Sequence, residues 1–495
     1  MRAFSKAPTP LLSGLTLAAL TLLCPAVTHA SGYRFGTQSA AAEGTANANG
    51  AEAADASTLF ANSAGLLRLQ RGWHVSSVLD VVDPKLRFVD AGSYLNGPNG
   101  SGLMPRTLSQ PGATENPADK AYVPHLYAAY KASDSLAYGI GMFVPWGAKL
   151  DYSDQWGGRY NIRHVELKSI ALNPTIAYKA TEDLSVSGGL VFQYMEGKIE
   201  RAVPYGTAYA LGLLAAARQA AASGAQAYAL QLQQQAAQVF GNAAFDGAVK
   251  VEGKDWGVGF NLALLWEPVK DQTRIGVTYR SSVGQALKGS GDWTQPSTLP
   301  AQVLAAITAA PYDGLGKLDH NDSGAQVRVR TPESLSLQVY QRVTPTVAVM
   351  ADATWMKQSR LEQLRIDFDS STPDSISPEH WKDTLRLALG ANWQLTNELM
   401  LRAGVANERS PVPAHTRSPV LPDSHRTWAT LGANWKFNGS TSVDLALGQI
   451  KLKDAAMDIT DNAEGETPCN CSNATVRGNY TAKANFIGLQ LNHKF

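Results

Sequence analysis

The sequence predicts an all-β chain, a fourteen-stranded antiparallel transmembrane β-barrel with a helical extracellular loop. Three observations carry that reading. In residues 479–495, Ile487, Leu489, Leu491 and Phe495 alternate with Gly488, Gln490, Asn492 and Lys494, the period of a strand with one apolar face. From Gly72 onward such segments recur, separated by breaks that are alternately short and long. Beyond residue 30 no apolar run approaches the ~20 residues of a helical span, so any crossing must use strands, and strands cross lipid only as a closed barrel.

Taken in order, residues 1–30 read as an export signal. Arg2 and Lys6 precede an apolar run from Leu11 to Val27, and Thr28-His29-Ala30 offers a small residue for cleavage. Pro25 within the run argues against an anchor, and Leu23 and Pro25 around Cys24 argue against lipid attachment. Loss of this segment removes two of 43 basic residues and none of 42 acidic ones, leaving a nearly neutral chain with no implied nucleic-acid partner. With 44% hydrophobic residues, 17% charged and 43 glycines, the composition is not that of a helical membrane protein. Residues 31–71 are small and polar, lack either periodicity, and cannot form a core alone.

The barrel is read over residues 72–495. Short breaks at 132–135, 181–183, 267–271, 344–345, 396–397 and 438–440 carry the Pro, Gly, Asn and Asp residues of tight turns. Long breaks fall near 85–121, 146–160, 201–249, 286–325, 361–382, 409–424 and 453–478. Six short and seven long connections join fourteen strands, which places both ends on the short-turn, periplasmic side. In residues 383–395, Leu385, Leu387, Leu389, Trp393 and Leu395 face lipid and Arg386 faces the lumen. Trp393, Trp435 and Phe437 lie near short turns, where an interfacial aromatic girdle belongs.

The long break at 201–249 differs in kind. Thr207 to Phe240 is rich in Ala, Gln and Leu and is interrupted at Ser223-Gly224, which predicts two helices and a turn. Leu211, Leu214, Tyr228, Leu232 and Phe240 are the apolar candidates for ligand contact there; the stripe of Tyr228, Leu232, Ala236, Val239 and Phe240 either lines a binding groove or packs on neighbouring loops. Cys469 and Cys471 lack nearby zinc ligands and are read as a disulfide or as two thiols in an exposed loop. No nucleotide-binding glycine loop and no nucleophile elbow occurs, so neither ATP-driven transport nor ester hydrolysis is expected, and no cofactor or metal is implied. A closed barrel leaves no free edge, and a monomer is expected.

Several segments resemble the FadL family of outer-membrane transporters for long-chain fatty acids and other hydrophobic compounds. They are Ser31-Gly32-Tyr33, residues 53–58, Phe143-Val144-Pro145-Trp146-Gly147, Trp156-Gly157-Gly158-Arg159-Tyr160, Lys198-Ile199-Glu200-Arg201, Ser410-Pro411-Val412-Pro413-Ala414 and residues 417–426. Asn62-Ser63-Ala64-Gly65 stands where the family usually has Asn-Pro-Ala, and the absent proline leaves a φ angle free. The resemblance implies a hatch over residues 31–71, with Phe60, Asn62, Ala64 and Gly65 in gating, and passive import of a fatty acid or related molecule. Release would be sideways into the outer membrane, through a gap beside a kinked third strand. Pro145, without a ladder donor, and Gly147, free in its dihedrals, could weaken pairing there, or could simply end the strand.

The resemblance also makes Arg201 the candidate for holding a ligand carboxylate, against the alternative of a solvated arginine. The family's lysine partner falls near Ser377 and is absent; His380 or Arg365 are the residues that could replace it. That absence makes an aromatic or alkane hydrocarbon the alternative cargo. A loop-presenting adhesin or surface receptor is the alternative of another class, distinguished by indifference of uptake to loss of residues 31–65.

Overall fold

The structure is a computed structural model that describes Arg34, Gly36 and residues 38–98, 100–309, 311–312, 316–317, 321–462 and 471–495. The export segment, Ser31-Gly32-Tyr33 and Cys469 lie outside the described residues.

Fourteen antiparallel strands form a closed barrel. They are β1 (Gly72–Asp90), β2 (Ala121–Lys131), β3 (Leu136–Phe143, continued by Gly147–Asp151), β4 (His164–Lys179) and β5 (Leu184–Pro204). Then come β6 (Asp246–Val269), β7 (Thr273–Arg280 and Gly284–Thr294), β8 (Ser323–Arg330 and Ser334–Arg342) and β9 (Val347–Met356 and Gln363–Phe368). The last five are β10 (Ser375–Pro378 and Thr384–Gln394), β11 (Leu399–Glu408), β12 (Arg426–Lys436), β13 (Thr441–Leu452 and Ala455–Thr460) and β14 (Ala474–Lys494). β14 closes on β1 from His74↔Lys494 to Asp90↔Gly478, so the terminal strand completes the ladder.

The short turns follow from one repeated device. Ser133, Thr181, Thr344, Thr396 and Asn438 each open a turn with a side-chain oxygen that accepts from a backbone N–H two or three residues on. The turn at 270–272 instead uses Asp271 at φ 57°, with its N–H on Glu267 Oε1 at 2.8 Å. At the other end the strands outrun the breaks seen in the sequence. β5 continues to Pro204 and β6 begins at Asp246, with Val249 opposite Arg201, so the connection spans 205–245 and not 201–249. Charged residues in these stretches hide the apolar alternation, yet the pairing persists past the apolar band.

Alternation decides what faces where. In β10 the outward Leu385, Leu387, Leu389 and Trp393 are exposed while Thr384, Arg386, Ala388 and Asn392 are buried in the lumen. Trp73, Tyr138, Tyr178, Trp266, Trp393, Trp435 and Phe437 are exposed near the short-turn end, forming the expected girdle. Among the described residues no helix is long and apolar enough to cross a membrane.

The 205–245 connection folds as α3 (Tyr205–Ala222) and α4 (Gln226–Val239), after two short helices within the lumen, α1 (Ala40–Glu43) and α2 (Thr58–Ala61). The bend falls at Ser223-Gly224, where Gly224 takes φ 85°. A fifth helix, α5 (Ala301–Ala309), lies in the β7–β8 connection.

Candidate functional site

The lumen is filled by residues 38–71, held by the inward side chains of the wall. Ala46 N donates to Thr430 Oγ1 at 2.9 Å, Ser39 Oγ to Gln490 Oε1 at 2.8 Å, and Asn392 Nδ2 to Glu52 Oε1 at 2.6 Å. Arg402 pairs with Asp444, and Arg386 donates to Ala46 O. Charges this deep persist only when paired and hydrogen-bonded. Small residues let the segment approach: a Cβ on Gly404 would stand 2.1 Å from Thr45 C.

The residues singled out for gating sit in this packing. Asn62 Nδ2 donates to Leu264 O at 3.0 Å and Gln338 Oε1 at 2.9 Å, while Asn62 Oδ1 caps Ala64 N. Ala64 is fully buried, and a Cβ on Gly65 would stand 2.5 Å from Ala53 Cβ. Where the family's proline is missing, the Ser63 hydroxyl lies 2.7 Å from Ser187 Oγ and accepts from Asn261 Nδ2 at 3.2 Å, replacing a fixed dihedral by a tie to the wall. Phe60 meets Phe143 edge-on at 5.0 Å, at the last residue before β3 breaks.

β2 and β3 pair from Leu126↔Met142 to Lys131↔Ala137 and no further. Beyond the break, Gly147–Asp151 pairs with β4 and meets the β1–β2 connection through one bridge, Ala118↔Leu150. Three donors and acceptors set the kink. Gln38 Nε2 donates to Val144 O at 2.7 Å, Val144 N donates to His125 Nδ1 at 3.3 Å, and Ser169 Oγ accepts from Trp146 N at 3.0 Å. Arg34 adds a β-bridge to Trp146. An accepting Nδ1 leaves the His125 proton on Nε2, which lies 3.2 Å from Asp80 Oδ2.

Pro145 supplies no N–H at this point. Gly147, by contrast, is not left-handed, and a Cβ there would meet only Leu167 O at 3.7 Å. The expectation that its dihedral freedom makes the kink is therefore corrected; the missing donor and the side-chain bonds account for it.

At this break lies a cavity of about 620 Å³. The lumen-facing Val123, Trp146, Leu150, Trp428 and Ile450 line it, and so do the outward Tyr122, Pro124 and Lys168, so it passes through the wall. Arg34 and Arg426 border its inner end, Arg426 bound to Asp423 at 3.0 Å.

A second, smaller cavity of about 70 Å³ lies among the long connections. Arg201 lines it with Ser377, Ile199, Ile366, Phe368 and Val420. Its guanidinium is 3.4 Å from Asp461 Oδ2, which also accepts from Ser472 N and Oγ at 2.8 Å. Ser418 to Val420 border this cavity, and Leu421 to Asp423 border the larger one, so a single segment separates the two.

Across residues 21–495 the chain matches the model of the family described as outer membrane protein transport protein (OMPP1/FadL/TodX). The chain belongs to the FadL family. It is 32% identical over 487 residues to a putative outer membrane protein of Neisseria meningitidis serogroup B, covering 96% of this chain and 97% of the relative. It is 27% identical over 371 residues to the long-chain fatty acid transport protein of Escherichia coli K12, covering 73% and 76%. Among solved structures, a FadL homologue of Pseudomonas aeruginosa superposes with a TM-score of 0.77 at 21% identity, covering 94% of this chain and 100% of that one. The toluene transporter TodX of Pseudomonas putida gives 0.58 at 16%, covering 89% and 94%. FadL-family barrels are outer-membrane proteins, and this chain is one.

Within that FadL-type frame the sequence-marked residues separate into two groups. Arg201 and Ser377 come together in one cavity, and Val144, Trp146 and Gly147 in the other. His380 and Arg365 line neither, and Arg365 is paired with Asp374 at 2.8 Å. Of the helical stripe, Leu232 and Phe240 are buried, and Phe240 packs with Ala236 and Val239 against Leu95 and Tyr160, with Leu214 at the edge. Leu211 is half-buried and Tyr228 is 56% exposed, so Tyr228 does not share the buried face. Of the two readings of the stripe, this packing favours contact with neighbouring loops. Arg34 and Arg426 were missed as cavity residues: no pattern surrounds Arg34, and Arg426 reads as an ordinary strand start. Cys471 is disulfide-bonded.

Proposed function

We propose that the protein passively imports long-chain fatty acids or related hydrophobic molecules, binding them in the barrel and releasing them sideways into the membrane. The observation that carries this reading is the cavity crossing the wall where β2 and β3 stop pairing. Residues 31–71 act as the hatch: Gln38 and Arg34 hold Val144 and Trp146, so displacement of this segment would loosen the mouth of the gap.

Magnitudes rank the contributions. A buried methylene is worth about 0.8 kcal/mol, so a long acyl chain gains on the order of 10 kcal/mol before ordering and association costs. A charged hydrogen bond adds roughly 1.5–3 kcal/mol, and at Arg201 a ligand carboxylate must compete with Asp461. Apolar contact therefore dominates.

The pairing of Arg201 with Asp461, and a serine at 377 beside it, favour a second reading in which the cargo is an uncharged aromatic or alkane hydrocarbon. Equilibrium binding of oleate to the refolded protein, competed with toluene, separates the two. A fatty-acid importer retains oleate against toluene and loses about tenfold in affinity, roughly 1.4 kcal/mol, in Arg201→Ala. Effective competition by toluene with no effect of the substitution assigns the hydrocarbon.

A further inference from the structure

On the outer wall, Lys85 of β1, Lys483 of β14 and Lys451 of β13 stand directly opposite one another in register. All three are exposed on the outward face. Like charges placed opposite each other across a ladder destabilise it unless something neutralises them. Lys85 reaches Asp83 at 3.1 Å, but among the described residues no carboxylate lies within ion-pair distance of Lys451 or Lys483.

Their height on the wall is defined by the rows beneath. Val81, Ile487 and Leu447 form the last apolar row, followed by Asp83, Asn485 and Gln449, where Gln449 Nε2 donates to Asn485 Oδ1 at 2.9 Å. The lysine row comes next, roughly 7 Å further along the strands, on the side away from the short turns. That is headgroup depth in the outer leaflet. The row also meets the mouth of the wall cavity, whose lining holds Lys85, Lys120, Lys149, Lys168 and Lys483 against Asp119 and Glu166.

We propose that this lysine row binds the phosphate groups of a phosphorylated glycolipid of the outer leaflet, seating one such lipid beside the gap. The site recognises phosphate and not the cargo, although Lys85 and Lys483 also border the wall cavity. Acyl chains lie against Ile487, Leu489 and Leu447 while the phosphates bridge ammonium groups that otherwise repel, a complementarity of charge above an apolar wall.

The test uses the purified full-length barrel in detergent micelles, titrated with bis-phosphorylated lipid A and with its dephosphorylated form, with bound lipid read by native mass spectrometry. The triple variant Lys85→Gln, Lys451→Gln, Lys483→Gln is expected to weaken binding of the phosphorylated lipid by about a hundredfold. The variant Lys179→Gln, Lys270→Gln, Lys436→Gln, changed at the short-turn rim, is expected to bind as the natural protein does. Millimolar inorganic phosphate is expected to leave the lipid bound. Equal binding of both lipid forms, equal losses in the two triple variants, or complete displacement by inorganic phosphate would each overturn the proposal.

Discussion

Glu379 shows how one carboxyl can tie the outer break of β10, between Pro378 and Thr384, to pH. It is buried between Pro378 and His380, accepts from Trp381 Nε1 at 2.8 Å, and its backbone oxygen receives Thr416 Oγ1 at 2.7 Å. Burial pushes its pKa up to about 7, with the bonds from Trp381 and Ser377 acting the other way. Between about pH 4.5 and 7 the folded loop therefore holds a proton that the unfolded one has released, so its stability falls as pH rises through that window. Protection of the amides of residues 375–381 and 416, taken as exchange relative to the intrinsic rate at each pH, should be higher at pH 5 than at pH 8, and Glu379→Gln should abolish the difference. Nothing in the sequence marks this residue, because its burial depends on three separate connections. Arg201 was legible only as a member of a motif; that Asp461 meets it follows from the pairing of β13 with β14, which no local pattern announces.

At the level of elements, strands inside the apolar band were readable because one face must be apolar and the other can carry Arg386 or Asp444. Outside the band that constraint ends, and the pairing of Lys198 to Val203 with Gly247 to Glu252 is visible only as a ladder. The N-terminal segment presents the opposite difficulty. Its structure comes from the wall around it, with Gly390, Gly404 and Gly432 giving room for residues 44–48. Gly404→Ala would press a methyl group into the Thr45 backbone at 2.1 Å, where no flexible atom can yield. Overpacking of this kind costs about 1–3 kcal/mol. The barrel should still assemble, while the segment is displaced, and conductance across planar bilayers should rise above that of the natural protein. Unchanged conductance would mean that the segment repacks in place.

For the molecule as a whole, β14 closes the wall on β1, and beside β3 the ladder lapses and the cavity of about 620 Å³ opens. Fold and location follow from periodicity, turn chemistry and family membership together. The path does not, since the opening arises from Pro145, His125, Ser169 and Gln38 meeting across four segments. Obstruction of that opening tests the central reading most directly. A Cβ at residue 147 meets nothing closer than 3.7 Å, and residues 147 and 148 face opposite sides of the wall opposite Lys168 and Leu167, so Gly147→Trp with Ala148→Trp places a ring on each side. The measurement is uptake of labelled oleate and toluene by cells carrying equal amounts of folded barrel. Uptake of the cargo is expected to fall to background while equilibrium binding to the purified variant stays within about twofold, a change of less than roughly 0.5 kcal/mol. Uptake at the natural rate in the obstructed variant would contradict lateral release.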